Sequence, residues 1–177
     1  GGYCYFDSYQ EDPTTAPEAI GGFLPLEKVY SYEPVPAQLD ATKAKHILGA
    51  QANIWTEYIP TTYHLEYMAF PRILALSEVV WSPKDSRKWE DFKARLQSHY
   101  RLLQRLDINY HRPSFQLTIN TNIDTIKKLT TLTFNSEQYN PIIHYTLDGS
   151  LPSITSPKYA GPFDVPGSAK ITAAIFK

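Results

Sequence analysis

Cysteine occurs once in the 177 residues, at Cys4, which excludes an internal disulfide framework and any metal site built on several thiolates. Charge of neither sign is in excess: 17 Lys and Arg stand against 18 Asp and Glu, a formal net charge of −1. That balance argues against a nucleic-acid-binding surface, which needs a basic field, and against an acidic disordered tail. No apolar run approaches the roughly 18 to 20 residues that span a bilayer, and no charged-then-apolar leader opens the chain. The chain begins GGYCYFD, already hydrophobic and without Met, and reads as cut from something longer. A phosphate-cradling glycine loop is missing, as is a Gly-x-Ser-x-Gly nucleophile elbow. The five histidines (His46, His64, His99, His111 and His144) show no metal spacing, and no Ser or Cys has an identifiable base.

What the chain does have is aromatic side chains, 13 Tyr, 8 Phe and 3 Trp, whose commonest use is core packing and whose second is ligand stacking. Two regimes of pattern follow one another. Tyr3 to Phe6 is a short apolar run ending at Asp7, and a long loop, about Asp7 to Lys45, carries five prolines and Gly21-Gly22. Loops of that length are usually functional. Ile47 to Trp55 has small and apolar residues on both alternating faces, as suits a strand covered on both sides. Leu65, Met68, Ala69, Ile73, Leu76 and Val80 recur at spacings of three and four, predicting a helical stretch that Pro71 kinks or restarts. A second helix is expected from about Lys88, with Trp89, Phe92, Leu96, Leu103 and Leu106 on one face, Asp85 or Ser86 as its cap, and Glu90 and Asp91 in its first turn. After Pro113 the text turns to Thr, Ile and Tyr. Leu129 to Phe134, Ile142 to Thr146 and Ile171 to Phe176 read as strands, Asp148-Gly149 as a turn, and Asn135 to Pro141 and Pro162 to Gly167 as loops.

Two short pairs carry the chemistry. In Trp55-Thr56-Glu57 the ring and the carboxylate face the same side of an extended chain. A pyranose offers an apolar C–H face that an indole covers and a hydroxyl rim from which a carboxylate accepts hydrogen bonds. By itself the pair also describes a partly buried ring beside a surface acid. Tyr5-Phe6-Asp7 repeats the form at the end of the preceding predicted strand. Two such pairs at the carboxyl ends of successive strands, the active face of β/α barrels, make a sugar or polyol site as good a reading as packing. His64-x-Glu66 reads as a solvated or capping pair, and Glu66 and Glu78 as salt-bridge partners at the rim of the packed helices.

The strings GAQANIWTEYI and LEYMAFPRILALSEVVWS resemble the end of the catalytic barrel in the β-N-acetylhexosaminidases of glycoside hydrolase family 20. YFDSYQ and GGFLPLEKVYSYEPVP look like the preceding strand and loop of bacterial members. IHYTLDGSLPSITSPKYAGPF is similar to the small β domain that follows the barrel. The fold class implied is α/β plus all-β: residues 1–115 as the last two β/α units of a TIM barrel, and 116–177 as a small antiparallel β-sandwich. The activity implied is release of terminal N-acetylglucosamine or N-acetylgalactosamine with retention, the substrate's own acetamide oxygen attacking C1, with neither cofactor nor metal. On this resemblance Tyr5 donates to the acetamide oxygen, Asp7 binds hydroxyls at the far rim, Trp55 packs beneath the ring and Glu57 accepts from the 4-hydroxyl.

Two departures qualify the resemblance. The family's general acid is a Glu preceded by an Asp, and no Asp-Glu pair occurs in this chain; QEDP and WEDF have the reverse order. The chain is therefore expected to be inactive alone, holding part of a pocket that the rest of the barrel completes. The loop also lacks the additional Trp of many members, leaving Phe23 and Tyr30 as candidate wall rings. The parent is expected to be a bacterial periplasmic, surface or secreted enzyme acting on N-acetylhexosamine-containing oligosaccharides. The fragment is expected either to self-associate through unpaired edges and uncovered apolar faces or to be locally disordered before about Gly49. Two rival readings are a non-catalytic carbohydrate-binding module using Tyr139, Tyr145, Tyr159 or Phe163, and a structural brace that binds no ligand.

Overall fold

A computed structural model describes residues 2–176 of the chain, which divides into two compact units, 1–112 and 113–177.

The first unit is built from helices around two buried apolar clusters, a larger one that includes Phe6, Val29, Leu76 and Leu96 and a smaller one of Ala19, Ile59 and Met68. Five of the helices are α-helical: α1 (Leu26–Tyr30), α2 (Ala41–Ala44), α3 (Thr62–Ala69), α4 (Arg72–Trp81) and α5 (Trp89–Arg105). The first two interrupt the stretch expected to be loop. Pro25 is the N-cap of α1, whose Leu26, Val29 and Tyr30 turn inward at helical spacing. Asp40 caps α2 by accepting from the Lys43 N–H at 2.9 Å. Pro71 separates α3 from α4 and is the N-cap of the latter, because a ring in place of the N–H is tolerated at a helix start and not in its interior. Arg72, Ala75, Leu76 and Val79 form the buried stripe of α4. The second helix begins where expected, but its N-cap is Lys88, with no side-chain bond. Asp85 and Ser86 lie instead in a 3-10 turn, Lys84–Ser86, in which the Ser86 hydroxyl is engaged by the Pro83 carbonyl. Phe92, Leu96 and Leu103 of α5 are buried, whereas Leu106 is exposed.

The predicted strands at Tyr3–Phe6 and Ile47–Trp55 are not strands in the structure: turn residues flank Tyr5, and the two stretches are joined by a single parallel bridge, Tyr5 to Asn53. Two hydrogen bonds hold it, Phe6 N–H to the Asn53 carbonyl and Asn53 N–H to the Cys4 carbonyl, both 2.8 Å. Apolar alternation reports what a segment can bury, but a ladder needs a neighbour along its whole length. Among the described residues there is none beyond this bridge, and Leu48 stands 96% exposed.

The strands of the second unit pair antiparallel, and one isolated bridge, Asp148 to Lys170, is parallel. β1 (Thr118–Asp124), β2 (Leu129–Asn135) and β4 (Phe163–Pro166) form one sheet in the order β1-β2-β4, and β3 (Ile142–Thr146) pairs with β5 (Thr172–Phe176) in another. Leu132 and Phe134, two apart on β2, meet Ile143 and Val165 in one core. The stretch 162–167 thus contains a strand where composition indicates a loop: Phe163 packs on the core and Val165 is buried in it. The flanking prolines that hide this strand are tolerated because β4 is an edge. Tyr145, Tyr159 and Phe163 all pack against the same core, with Tyr145 stacked on Phe163 at 4.6 Å between centroids. At the predicted turn Gly149 has φ +81, and a Cβ there would lie 2.4 Å from Lys170 Cδ.

Candidate functional site

The single bridge between Tyr5 and Asn53 sets the site. Because that bridge is parallel, Tyr5–Asp7 and Trp55–Glu57 leave it at the same end. A second parallel bridge, Tyr9 to Phe23, with Leu24 N–H on the Tyr9 carbonyl at 2.7 Å, brings the proline-rich stretch alongside. Together they surround an open cavity of about 600 Å³ lined by Tyr5, Asp7, Ser8, Ile20, Gly21, Gly22, Trp55 and Glu57. All four residues singled out from the sequence therefore line one cavity.

Their environments differ. Trp55 is 56% exposed and Tyr5 42%, so a large ring face and a phenol are both open to a ligand, and Glu57 is also exposed. Asp7 is only 5% exposed, and its Oδ1 has no hydrogen-bond partner. A buried carboxylate oxygen without a donor is costly, and a ligand hydroxyl is the kind of group that would satisfy it. On the opposite lip Gly22 has φ +70, and a Cβ there would press on the Ser8 hydroxyl at 3.0 Å. Glycine is required at this position by both conformation and space.

Of the two rings suggested as a wall, neither lines the cavity. Phe23 is exposed beside it, and Tyr30 is buried in the helical core. Tyr30 stacks on Phe92 at 4.6 Å and donates to Glu78 Oε1 at 2.7 Å. Burial, reinforced by the bond to Glu78, pushes its phenol up to about 12. Its place in the 3–4 spacing with Leu26 is the signal that it packs inward. Glu78 is the salt-bridge partner of Arg95, at 2.6 Å, and Glu66 accepts from the Asn109 N–H at 2.8 Å.

Sequence reasoning missed Ser8, Ile20, Gly21 and Gly22 as lining residues, and it missed Arg72. The Arg72 side chain is fully buried with no exposed surface. Its guanidinium donates to the carbonyls of Met68, Ser8, Leu24 and Phe6 and lies 5.0 Å from the Phe6 ring centroid. Burial pulls its pKa down to about 9, against the opposing pull of Tyr67 and Asp7, so it is still a cation at neutral pH. A cation on the apolar stripe of α4 was the available signal. Among the described residues no group of three or more His, Cys, Asp or Glu is placed to hold a metal ion, and no helix is long and apolar enough to cross a membrane.

Residues 1–84 match the catalytic domain of glycosyl hydrolase family 20. Over these residues the chain is similar to that family. Residues 118–177 match the chitobiase/β-hexosaminidase C-terminal domain, so a stretch similar to family 20 is followed by one similar to the domain described for β-hexosaminidases. Among relatives, a β-hexosaminidase of Porphyromonas gingivalis is 40% identical over 92% of this chain and 21% of its own length. One of Akkermansia muciniphila is 33% identical over 62% of this chain and 22% of its own. The chain thus spans about a fifth of the curated relatives it matches. Among solved family 20 structures, an exo-β-N-acetylglucosaminidase of Vibrio harveyi in complex with N-acetylglucosamine superposes with a TM-score of 0.55 at 34% identity, covering 63% of this chain and 18% of that one. The β-N-acetylhexosaminidase of Streptomyces coelicolor gives 0.55 at 27% identity, covering 63% and 22%.

Proposed function

We propose that this chain supplies one wall of the sugar pocket of an exported β-N-acetylhexosaminidase that removes terminal N-acetylglucosamine or N-acetylgalactosamine from oligosaccharides. The observation that carries this reading is the convergence of Tyr5, Asp7, Trp55 and Glu57 on one cavity, with a buried, unpartnered oxygen of Asp7. Residues 1–115 are then the last two β/α units of a TIM barrel, and the single parallel bridge is the remnant contact of two adjoining barrel strands. Residues 116–177 are a small β-sandwich.

Each side chain has a chemical part. Trp55 covers the apolar face of the pyranose, since C–H groups on that face pack on an exposed indole. Asp7 and Glu57 accept from ring hydroxyls, charge-assisted bonds that fix its orientation. Tyr5 donates to the acetamide oxygen, holding it in line for attack on C1 and stabilising the charge on the cyclic intermediate. Protonation of the leaving oxygen needs an acid in an Asp-Glu pair, which this sequence does not contain, so hydrolysis requires further chain. In the second unit, the packing of Tyr145, Tyr159 and Phe163 into the core supports a structural brace over a sugar-binding module.

The test is release of nitrophenol from a nitrophenyl N-acetyl-β-glucosaminide, comparing this chain with a version extended through a full-length barrel. Activity in the extended protein alone, lost in Trp55→Ala and Glu57→Ala, is the expected outcome. Turnover by the chain itself would place the acid within these residues and sink the reading.

A further inference from the structure

We propose that Arg72 is a positioning residue for Asp7: it clamps the backbone on both sides of that carboxylate while offering it no hydrogen bond. This rests on the sugar-pocket reading above. A guanidinium has five N–H donors, and here all five are committed to main-chain carbonyls. Nε and one Nη2 donor go to Met68, the Nη1 donors go to Ser8 at 2.9 Å and Leu24 at 3.1 Å, and the remaining Nη2 donor goes to Phe6. Phe6 and Ser8 are the two neighbours of Asp7. Leu24 lies two residues beyond Gly22, so the same group also ties down the cavity's opposite lip, Ile20 to Gly22.

Packing alone does not call for an arginine here. The position is fully buried on the apolar stripe of α4, and no carboxylate among the described residues forms a salt bridge with it. An apolar residue would fill the space without the desolvation that a buried cation suffers. What the guanidinium adds is five donors in a fixed fork, enough to hold the backbone on both sides of Asp7. Asp7 is thereby placed at a buried position while its Oδ1 stays unpartnered, ready for a sugar hydroxyl. A lysine retains the charge but concentrates three donors on one nitrogen and cannot reach the four carbonyls together.

The experiment is steady-state kinetics on the full-length enzyme, with Arg72→Lys, Arg72→Gln and Asp7→Asn beside Trp55→Ala and Glu57→Ala. Arg72→Lys is expected to raise KM roughly tenfold to a hundredfold with kcat little changed, the mark of lost binding shared by ground and transition states. Arg72→Gln, with fewer donors still, is expected to raise KM at least as far. Asp7→Asn, which leaves the clamp intact but weakens the acceptor, should raise KM as well. A folded Arg72→Lys with lowered melting temperature but unchanged KM overturns the proposal, leaving a purely structural arginine. So does a folded Arg72→Gln with unchanged KM. Should neither Arg72 variant fold, an unchanged KM in Asp7→Asn overturns it, since no carboxylate there then needs placing. Full activity in Trp55→Ala and Glu57→Ala would instead overturn the underlying site, which keeps the two failures apart.

Discussion

Tyr5 and Asp7 sit two residues apart and in opposite conditions, one a half-open phenol and the other a carboxylate almost closed off from water. Open groups can be reached by a substrate and rearranged by it, whereas closed groups must be placed in advance. The phenol's hydroxyl is the only part of Tyr5 that a donor role needs, so Tyr5→Phe in the full-length enzyme isolates that role. Removal of one such donor to a developing charge costs roughly 100- to 1,000-fold in kcat, and this is the expected loss, with KM changing far less. A kcat within a factor of about two of wild type would assign Tyr5 to packing. At this scale the sequence was informative wherever a residue's type limited its use. Trp55 and Glu57 were recognisable because ring and acid alternate at a predicted strand end. A cation on an apolar stripe marked Arg72 as unusual but not its role, because its partners include backbone carbonyls of Phe6, Ser8 and Leu24, far away in sequence and invisible to any spacing rule.

Among elements, the helices were the most legible. The inward residues of α4 and α5 repeat at 3.6-residue spacing, and that period survives whatever the helix packs against. The two barrel-like strands were over-read because period-2 patterns indicate a face without supplying a partner. β4 was under-read because Pro162, Pro166 and Gly167 punctuate a run of only four residues whose inward pair is Phe163 and Val165. The turn after β3 shows how local chemistry sets an element end. Asp148 accepts from the Ser150 hydroxyl at 2.6 Å and the Ser150 N–H at 2.9 Å, and these bonds hold its carboxyl below the ordinary 3.8. Since the folded value lies below the unfolded one, the stabilisation is complete above the ordinary carboxylate range and fades as pH falls through the folded value. Asp148→Ala should therefore melt below wild type at pH 7, with the gap closing toward pH 2 in thermal scans. A gap of constant size down to that pH would show that the charge plays no part.

For the whole molecule, the exposed apolar inventory is informative. Leu48 is 96% exposed and Trp81 87%, and the Tyr5–Asn53 bridge pairs only one residue of each of its two stretches. Surface of this kind is covered in stable proteins or seeks cover by association. The chain on its own is expected to sediment as species larger than a monomer, and Leu48→Lys should shift the distribution toward monomer. A wild-type chain that sediments as a monomer at all concentrations would show that the exposed surface is tolerated as it stands. The same exposure explains why only part of the architecture could be read: a segment's fate depends on neighbours that lie outside any window of its own sequence.

The Arg72 clamp also bears on protein engineering. One guanidinium joins the start of α4 to both lips of the cavity, so heat tolerance and the shape of the cavity share a side chain and cannot be tuned separately there. A selection for thermostability that repacked the stripe beginning at Arg72 would reshape the cavity without touching a single residue that lines it. The outer face of α5, which has no such link to the cavity, is the safer place to harden this chain.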